Sequence, residues 1–126
     1  MEYQPGSCNI GRAELRKRAY LGIAGFLFAS AVLTGIIYLG LSVIALLPLF
    51  AGFSLGFEGY FQTRYRFCAG FAMQGIYDVS EEGGNRHEVP DSDAHRQDLR
   101  QALKIHLYSF LSAGAVTYLA FSMIYP

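Results

Sequence analysis

The fold is decided by residues 19–57, which read AYLGIAGFLFASAVLTGIIYLGLSVIALLPLFAGFSLGF and contain no Asp, Glu, Lys or Arg. A helix of about 20 apolar residues crosses the hydrocarbon core of a bilayer. The stretch is therefore long enough for two spans. Gly40 and Ser42 lie near its middle and are suited to ending one helix and capping the next. We predict a helical hairpin with spans at about 19–38 and 41–57, and a kink at Pro48.

A second uncharged stretch begins at Ile105 and predicts a third span at about 105–124. The polar segment 58–104 separates it from the hairpin. Residues 58–77 are predicted to extend the second helix or to form a separate interfacial helix. Residues 78–93 are predicted to be a solvated loop. The predicted fold is all-α, an integral membrane protein with three transmembrane helices in one domain, 1–126.

The sequence also predicts the residues at which the first and the last helix begin. Asn9 is a good capping residue, so the first helix is expected to start there. The last helix is expected to resume at Ala94, with Ser92 or Asp93 as its cap.

The distribution of basic residues predicts the orientation. All ten Lys and Arg lie before Ala19 or between Glu58 and Lys104. By the positive-inside rule, the N-terminus and residues 58–104 are expected in the cytoplasm and the C-terminus outside, in a multi-pass protein of the cell (inner, cytoplasmic) membrane. The expected partner is the lipid bilayer. The formal net charge is zero, which gives no electrostatic basis for binding nucleic acid.

Cys8 and Cys68 are the two cysteines, and both fall in the polar part of the sequence. Three interpretations are open: small buried hydrophobes, a thiol or metal-ligand pair, or a disulfide, which a reducing cytoplasm disfavours. His87 and His95 complete the set of weak metal-ligand candidates. No recognised ligand spacing is present, so no cofactor is predicted.

Small residues recur at four-residue spacing within the predicted spans. Such pairs let helix backbones approach closely in lipid. They serve either packing within the chain or association with a partner or a second copy. The candidate association residues are Gly25, Ala29, Gly52, Gly56, Ser109 and Ala113.

No motif for a P-loop, nucleotide fingerprint, serine hydrolase or zinc protease occurs, and no ionisable residue lies at the centre of a predicted span. The leading hypothesis is therefore a small non-enzymatic membrane protein, an accessory or scaffold subunit or a homo-oligomer. One alternative is a thiol- or metal-dependent redox or sensing protein using Cys8 and Cys68. A further alternative is a small channel or transporter subunit.

Two short motifs carry a resemblance: Cys8-Asn9-Ile10-Gly11, and Arg66-Phe67-Cys68. With them the chain resembles a family of small uncharacterised prokaryotic three-helix membrane proteins that have an N-terminal Cys-Asn-Ile-Gly motif. The resemblance implies the three-span layout and says nothing about catalysis. It also implies that the two cysteines occur together.

Overall fold

The computed structural model describes residues 2–125 and is mostly helical. Three of its helices are long and apolar enough to cross a membrane, in agreement with the number predicted. In chain order the elements are α1 (Arg12–Leu39), a 3-10 turn (Val43–Ala45), α2 (Leu46–Tyr65), α3 (Ala69–Gln74), β1 (Ile76–Tyr77), β2 (His87–Glu88) and α4 (Ser92–Ile124).

The hairpin between α1 and α2 turns where the sequence predicts. Gly40 ends α1 in the left-handed region, with φ of 64°, which glycine adopts without steric cost. Helix α2 begins at Leu46 rather than at Leu41, because the 3-10 turn precedes it. Pro48 lies in the first turn of α2, where a missing N–H removes no helical hydrogen bond. It therefore marks the start of α2 rather than a kink within it.

Glycines bring α1 and α2 into backbone contact. A Cβ added at Gly59 would lie 2.3 Å from the Cα of Gly22, and one added at Gly25 would lie 2.5 Å from the backbone nitrogen of Gly56. No side chain could be accommodated at these distances without moving a helix. The α1–α2 interface therefore depends on the absence of side chains at these crossing points.

Helix α2 lies between α1 and α4, and contacts both extensively. Its aromatic face meets α4, where Phe50 lies near Phe110 and Phe61 lies 5.9 Å from Tyr108 between ring centroids. The large residues that remain on the outer faces of the three long helices are predominantly exposed. A single apolar layer of three helices results.

The polar segment after α2 is more structured than predicted. Arg66 takes a left-handed conformation, with φ of 53°, and ends α2, so residues 58–77 are neither one continuous helix nor a single interfacial one. The short α3 follows, and β1, at the end of the predicted helical segment, then pairs antiparallel with β2, which lies inside the predicted loop. Helix α4 begins at Ser92, two residues before the predicted start, and its cap is Asp91.

Candidate functional site in the polar cap

The polar cap, defined as residues 2–11 and 67–91, covers one end of the three-helix layer. Asn9 holds it together. This side chain is completely buried, donates to the carbonyl oxygen of Cys68 at 3.0 Å and accepts from the Cys68 backbone N–H at 2.7 Å. The expectation that Asn9 caps the first helix is wrong, because Gly11 occupies that position. Asn9 instead joins two segments 59 residues apart.

The residues after Asn9 run beside the chain that leaves β1. The Asp78 N–H donates to the carbonyl of Asn9, and the Gly11 N–H donates to the carbonyl of Asp78. A Cβ added at Gly11 would lie 2.1 Å from the carbonyl oxygen of Ser80. Ile10 is fully buried in a cluster with Cys68 and Phe71. Three residues of the Cys-Asn-Ile-Gly motif thus have structural roles in this chain. Asn9 forms a polar clamp, Ile10 is a buried anchor, and Gly11 allows a close backbone approach.

Asp78 organises the loop that follows β1. Its buried carboxylate accepts from the Ser80 hydroxyl, the Ser80 N–H and the Asn85 N–H. Burial by itself raises the pKa of this carboxyl, but hydrogen bonds from Ser80, Asn85 and Gly84 outweigh it, so the pKa of Asp78 is lowered. Asp78 is therefore an ionised structural anchor at neutral pH.

Asp98 fixes the extreme N-terminal segment to α4. It is fully buried and accepts from the Tyr3 hydroxyl and the Gly6 N–H, both at 2.7 Å. The Tyr3 ring also stacks on Tyr77, with centroids 4.1 Å apart. Burial and the hydrogen bond to Asp98 raise the pKa of Tyr3, so its hydroxyl remains a donor throughout the ordinary pH range.

The Cys68 sulfur lies against a cation. Arg18 donates to it at 2.9 Å, and the Phe71 N–H points to it at 3.4 Å. Arg18 also pairs with Glu14, whose carboxylate is buried and is bound by Lys17 as well. Cys68 is 3% exposed, so this thiol lies inside the cap.

Cys8 is partly exposed and has different surroundings. Its thiol points to the carbonyl of Ile10 at 3.6 Å, and no disulfide joins it to Cys68 in the described part of the chain. It lines a polar groove of about 360 Å³ with Glu2, Gln4, Ser7, Tyr65 and Arg66. The two sulfurs thus belong to one cap but have separate hydrogen-bond partners.

The histidine candidates are placed elsewhere in the cap region. His87 is exposed on β2 beside Tyr77, and His95 is half-buried in the first turns of α4 near Gly75. Within residues 2–125, no three His, Cys, Asp or Glu side chains come together in a group that could hold a metal ion. The four candidate ligands are therefore not assembled into a centre of that kind.

A polar connection between α2 and α4 has no counterpart in the sequence analysis. His106 Nδ1 lies 2.5 Å from Glu58 Oε1, and Gln62 donates to the other oxygen of Glu58 at 3.1 Å. Gln62 in turn accepts from the Ala69 N–H at the start of α3. The sequence analysis missed this series of hydrogen bonds because Glu58 and His106 are 48 residues apart and show no local pattern.

The six small residues considered for association are all buried inside this one chain. The four on α1 and α2 lie where these two helices meet, and the two on α4 are fully buried. Their use is internal packing, which was one of the two interpretations the spacing allowed. A partner or a second copy would have to meet other faces. The buried set is Gly25, Ala29, Gly52, Gly56, Ser109 and Ala113.

No protein-family model matches the chain, and no curated protein or solved structure matches it either.

Proposed function

We propose that this chain is an integral protein of the cell membrane that acts as an accessory or scaffold subunit, or as a small homo-oligomer. The observation that supports the proposal is the large apolar surface of the three long helices outside their mutual contacts. On α4, Leu107 is 52% exposed and Leu111 is 62% exposed. Such a surface is stable in lipid or against another apolar helix, and not in water.

The buried polar side chains of the cap mostly have partners that hold the fold: Asn9 binds backbone, and Asp78 and Asp98 bind the segments around them. The outer faces are the surfaces left for another protein. Of the three long helices, α4 has the smallest buried share in its apolar stretch, so we propose α4 as the partner-binding helix.

The test is purification from native membranes in mild detergent, followed by identification of everything that remains bound. We expect a stoichiometric partner or a defined oligomer that dissociates in the variant Leu107→Ala/Leu111→Ala. The control Ile23→Ala/Leu27→Ala makes a comparable change on the exposed face of α1 and is expected to leave the complex intact. Migration of the wild-type chain as a lone monomer would contradict the proposal.

The proposed orientation places the N-terminus and residues 58–104 in the cytoplasm and the C-terminus outside, and its support is the basic residues at one end of the spans. In intact cells, a membrane-impermeant thiol reagent is expected to label Met123→Cys and not Glu82→Cys. Both positions are exposed, so access to the reagent depends on the side of the membrane. Labelling of Glu82→Cys alone would show that the orientation is the opposite of the one proposed.

A second candidate function, thiol-dependent redox sensing, is favoured by one observation. The Arg18 guanidinium contacts the Cys68 sulfur, and a cationic neighbour is a common feature of reactive thiols. We expect Cys68 in the native protein to react with a small alkylating agent faster in wild type than in Arg18→Gln. Equal rates, or reaction only after denaturation, would leave Cys68 as a packing residue.

A further inference from the structure

The exposed charges of this neutral chain are segregated by sign. The exposed acidic residues lie in the polar cap and the first turn of α4, and most of the exposed basic residues lie where the long helices meet their apolar stretches. We call the latter set the basic belt. The exposed acidic residues are Glu2, Glu81, Glu82, Glu88, Asp91 and Asp93; the basic belt is Arg12, Arg16, Lys17, Arg64, Arg66, Arg100 and Lys104.

The belt draws on all three long helices at the same boundary. On α1 the last belt residue is Lys17, just before the uncharged stretch that begins at Ala19. On α4 the last belt residue is Lys104, just before the uncharged stretch that begins at Ile105. On α2 it occupies the C-terminal end, beyond Glu58. The belt therefore includes residues at the polar ends of all three long helices rather than of one helix alone.

The acidic side chains at this level are turned inward and do not neutralise the outer surface. Glu14 is buried against Arg18 and Lys17, Glu58 pairs with His106, and Asp98 is buried under the N-terminal segment. Lys17 is 61% exposed even while it contacts Glu14. The exposed charge next to the apolar stretches is thus mostly cationic, although the exposed Glu2 shares a groove with Arg66.

We propose that the basic belt binds the headgroups of anionic phospholipids. Phosphate groups of a leaflet lie at the level where an apolar span ends, and an Arg guanidinium matches a phosphate with two parallel hydrogen bonds. Basic residues next to a span attract anionic lipid. The inference rests on the membrane placement proposed above, and it is independent of any protein partner.

The experiment measures lipid selectivity of the full chain in phosphatidylcholine vesicles. Spin-labelled phosphatidylglycerol and phosphatidylcholine report the relative association constant of each lipid at the protein surface. The belt variant Arg16→Gln/Arg100→Gln is compared with Arg86→Gln/Arg96→Gln, which removes the same charge from exposed arginines outside the belt. We expect wild type and the control to prefer phosphatidylglycerol several-fold, and the belt variant, which keeps five of the seven belt cations, to show a clearly smaller preference.

Each outcome has a distinct meaning. Equal preference in the two variants would overturn the proposal, because net charge alone would then explain the selectivity. Immobilised lipid with no preference for the anionic species would also overturn it, while leaving the membrane placement intact. Absence of any immobilised lipid would remove the membrane placement itself. Replacing chloride with inorganic phosphate at equal ionic strength should leave the preference unchanged; specific loss would show that the belt binds free phosphate rather than lipid headgroups.

Discussion

Removal of the Asn9 side chain should open the polar cap without unfolding the long helices. In Asn9→Ala the Cys68 N–H loses its acceptor at 2.7 Å and stays buried. The Cys68 carbonyl loses one donor but retains the Ala72 N–H at 3.1 Å. An orphaned buried donor costs about 1–3 kcal/mol and a lost hydrogen bond about 0.5–1.5 kcal/mol. The expected loss of local stability is therefore about 1.5–4.5 kcal/mol.

The assay is amide hydrogen exchange at Cys68, measured by mass spectrometry on the protein in detergent micelles. Exchange of this amide requires local opening, so its rate reports the free energy of opening directly. A loss of about 1.5–4.5 kcal/mol corresponds to exchange that is about 12 to 1,600 times faster. Amides in the middle of α1 and α2 are expected to keep their wild-type rates, because Asn9 does not contact them.

The matched control is Asn85→Ala. Asn85 lies in the same cap, but it is exposed and takes part in the cap through its backbone N–H rather than its side chain. Its substitution should change the exchange rate at Cys68 by less than about three-fold, as for most exposed surface changes. If Asn9→Ala behaved like this control, the clamp would contribute nothing to the cap, and the reasoning from its hydrogen bonds would be refuted.

Further predictions concern packing, the N-terminal segment and acid stability. Gly59→Ala should lower the melting temperature in detergent, because overpacking against the α1 backbone costs about 1–3 kcal/mol. The control Gly114→Ala has space around the added methyl group and should be neutral or slightly stabilising. Equal melting temperatures of the two variants would argue against the backbone contact. Tyr3→Phe removes a donor from a buried carboxylate on α4 and should speed proteolysis of the N-terminal segment, while Tyr77→Phe, which keeps the stacked ring, should not; identical digestion would count against this bond. Because folding lowers the pKa of Asp78, its ionised carboxylate stabilises the folded protein at pH values above the ordinary aspartate pKa of about 4. This stability is lost as the pH falls through the lowered pKa of the folded state. Acid denaturation should therefore show a component that Asp78→Asn abolishes, and parallel stability curves for the two proteins would exclude it.

The polar cap shows where sequence reasoning stops. The sequence predicts that Asn9 caps the first helix, and that residues 58–77, which include Cys68, extend the second helix or form a separate interfacial one. In the structure Asn9 binds the backbone of Cys68, and α2 ends before Cys68 because Arg66 takes a left-handed conformation. The error at Asn9 has a physical cause: a side-chain amide serves equally well as a local cap or as a distant clamp, and only the position of the distant segment decides between them.

The sequence by itself determined the three apolar helices, the turn at Gly40 and the grouping of basic residues beside the apolar stretches. These features depend on the transfer free energy of contiguous residues and on local backbone preferences, both of which are written in neighbouring positions. The tertiary structure alone decided that Gly22 meets Gly59 and that Glu58 meets His106. Those contacts join residues far apart in the chain, and they exist because the helices pack in one particular register.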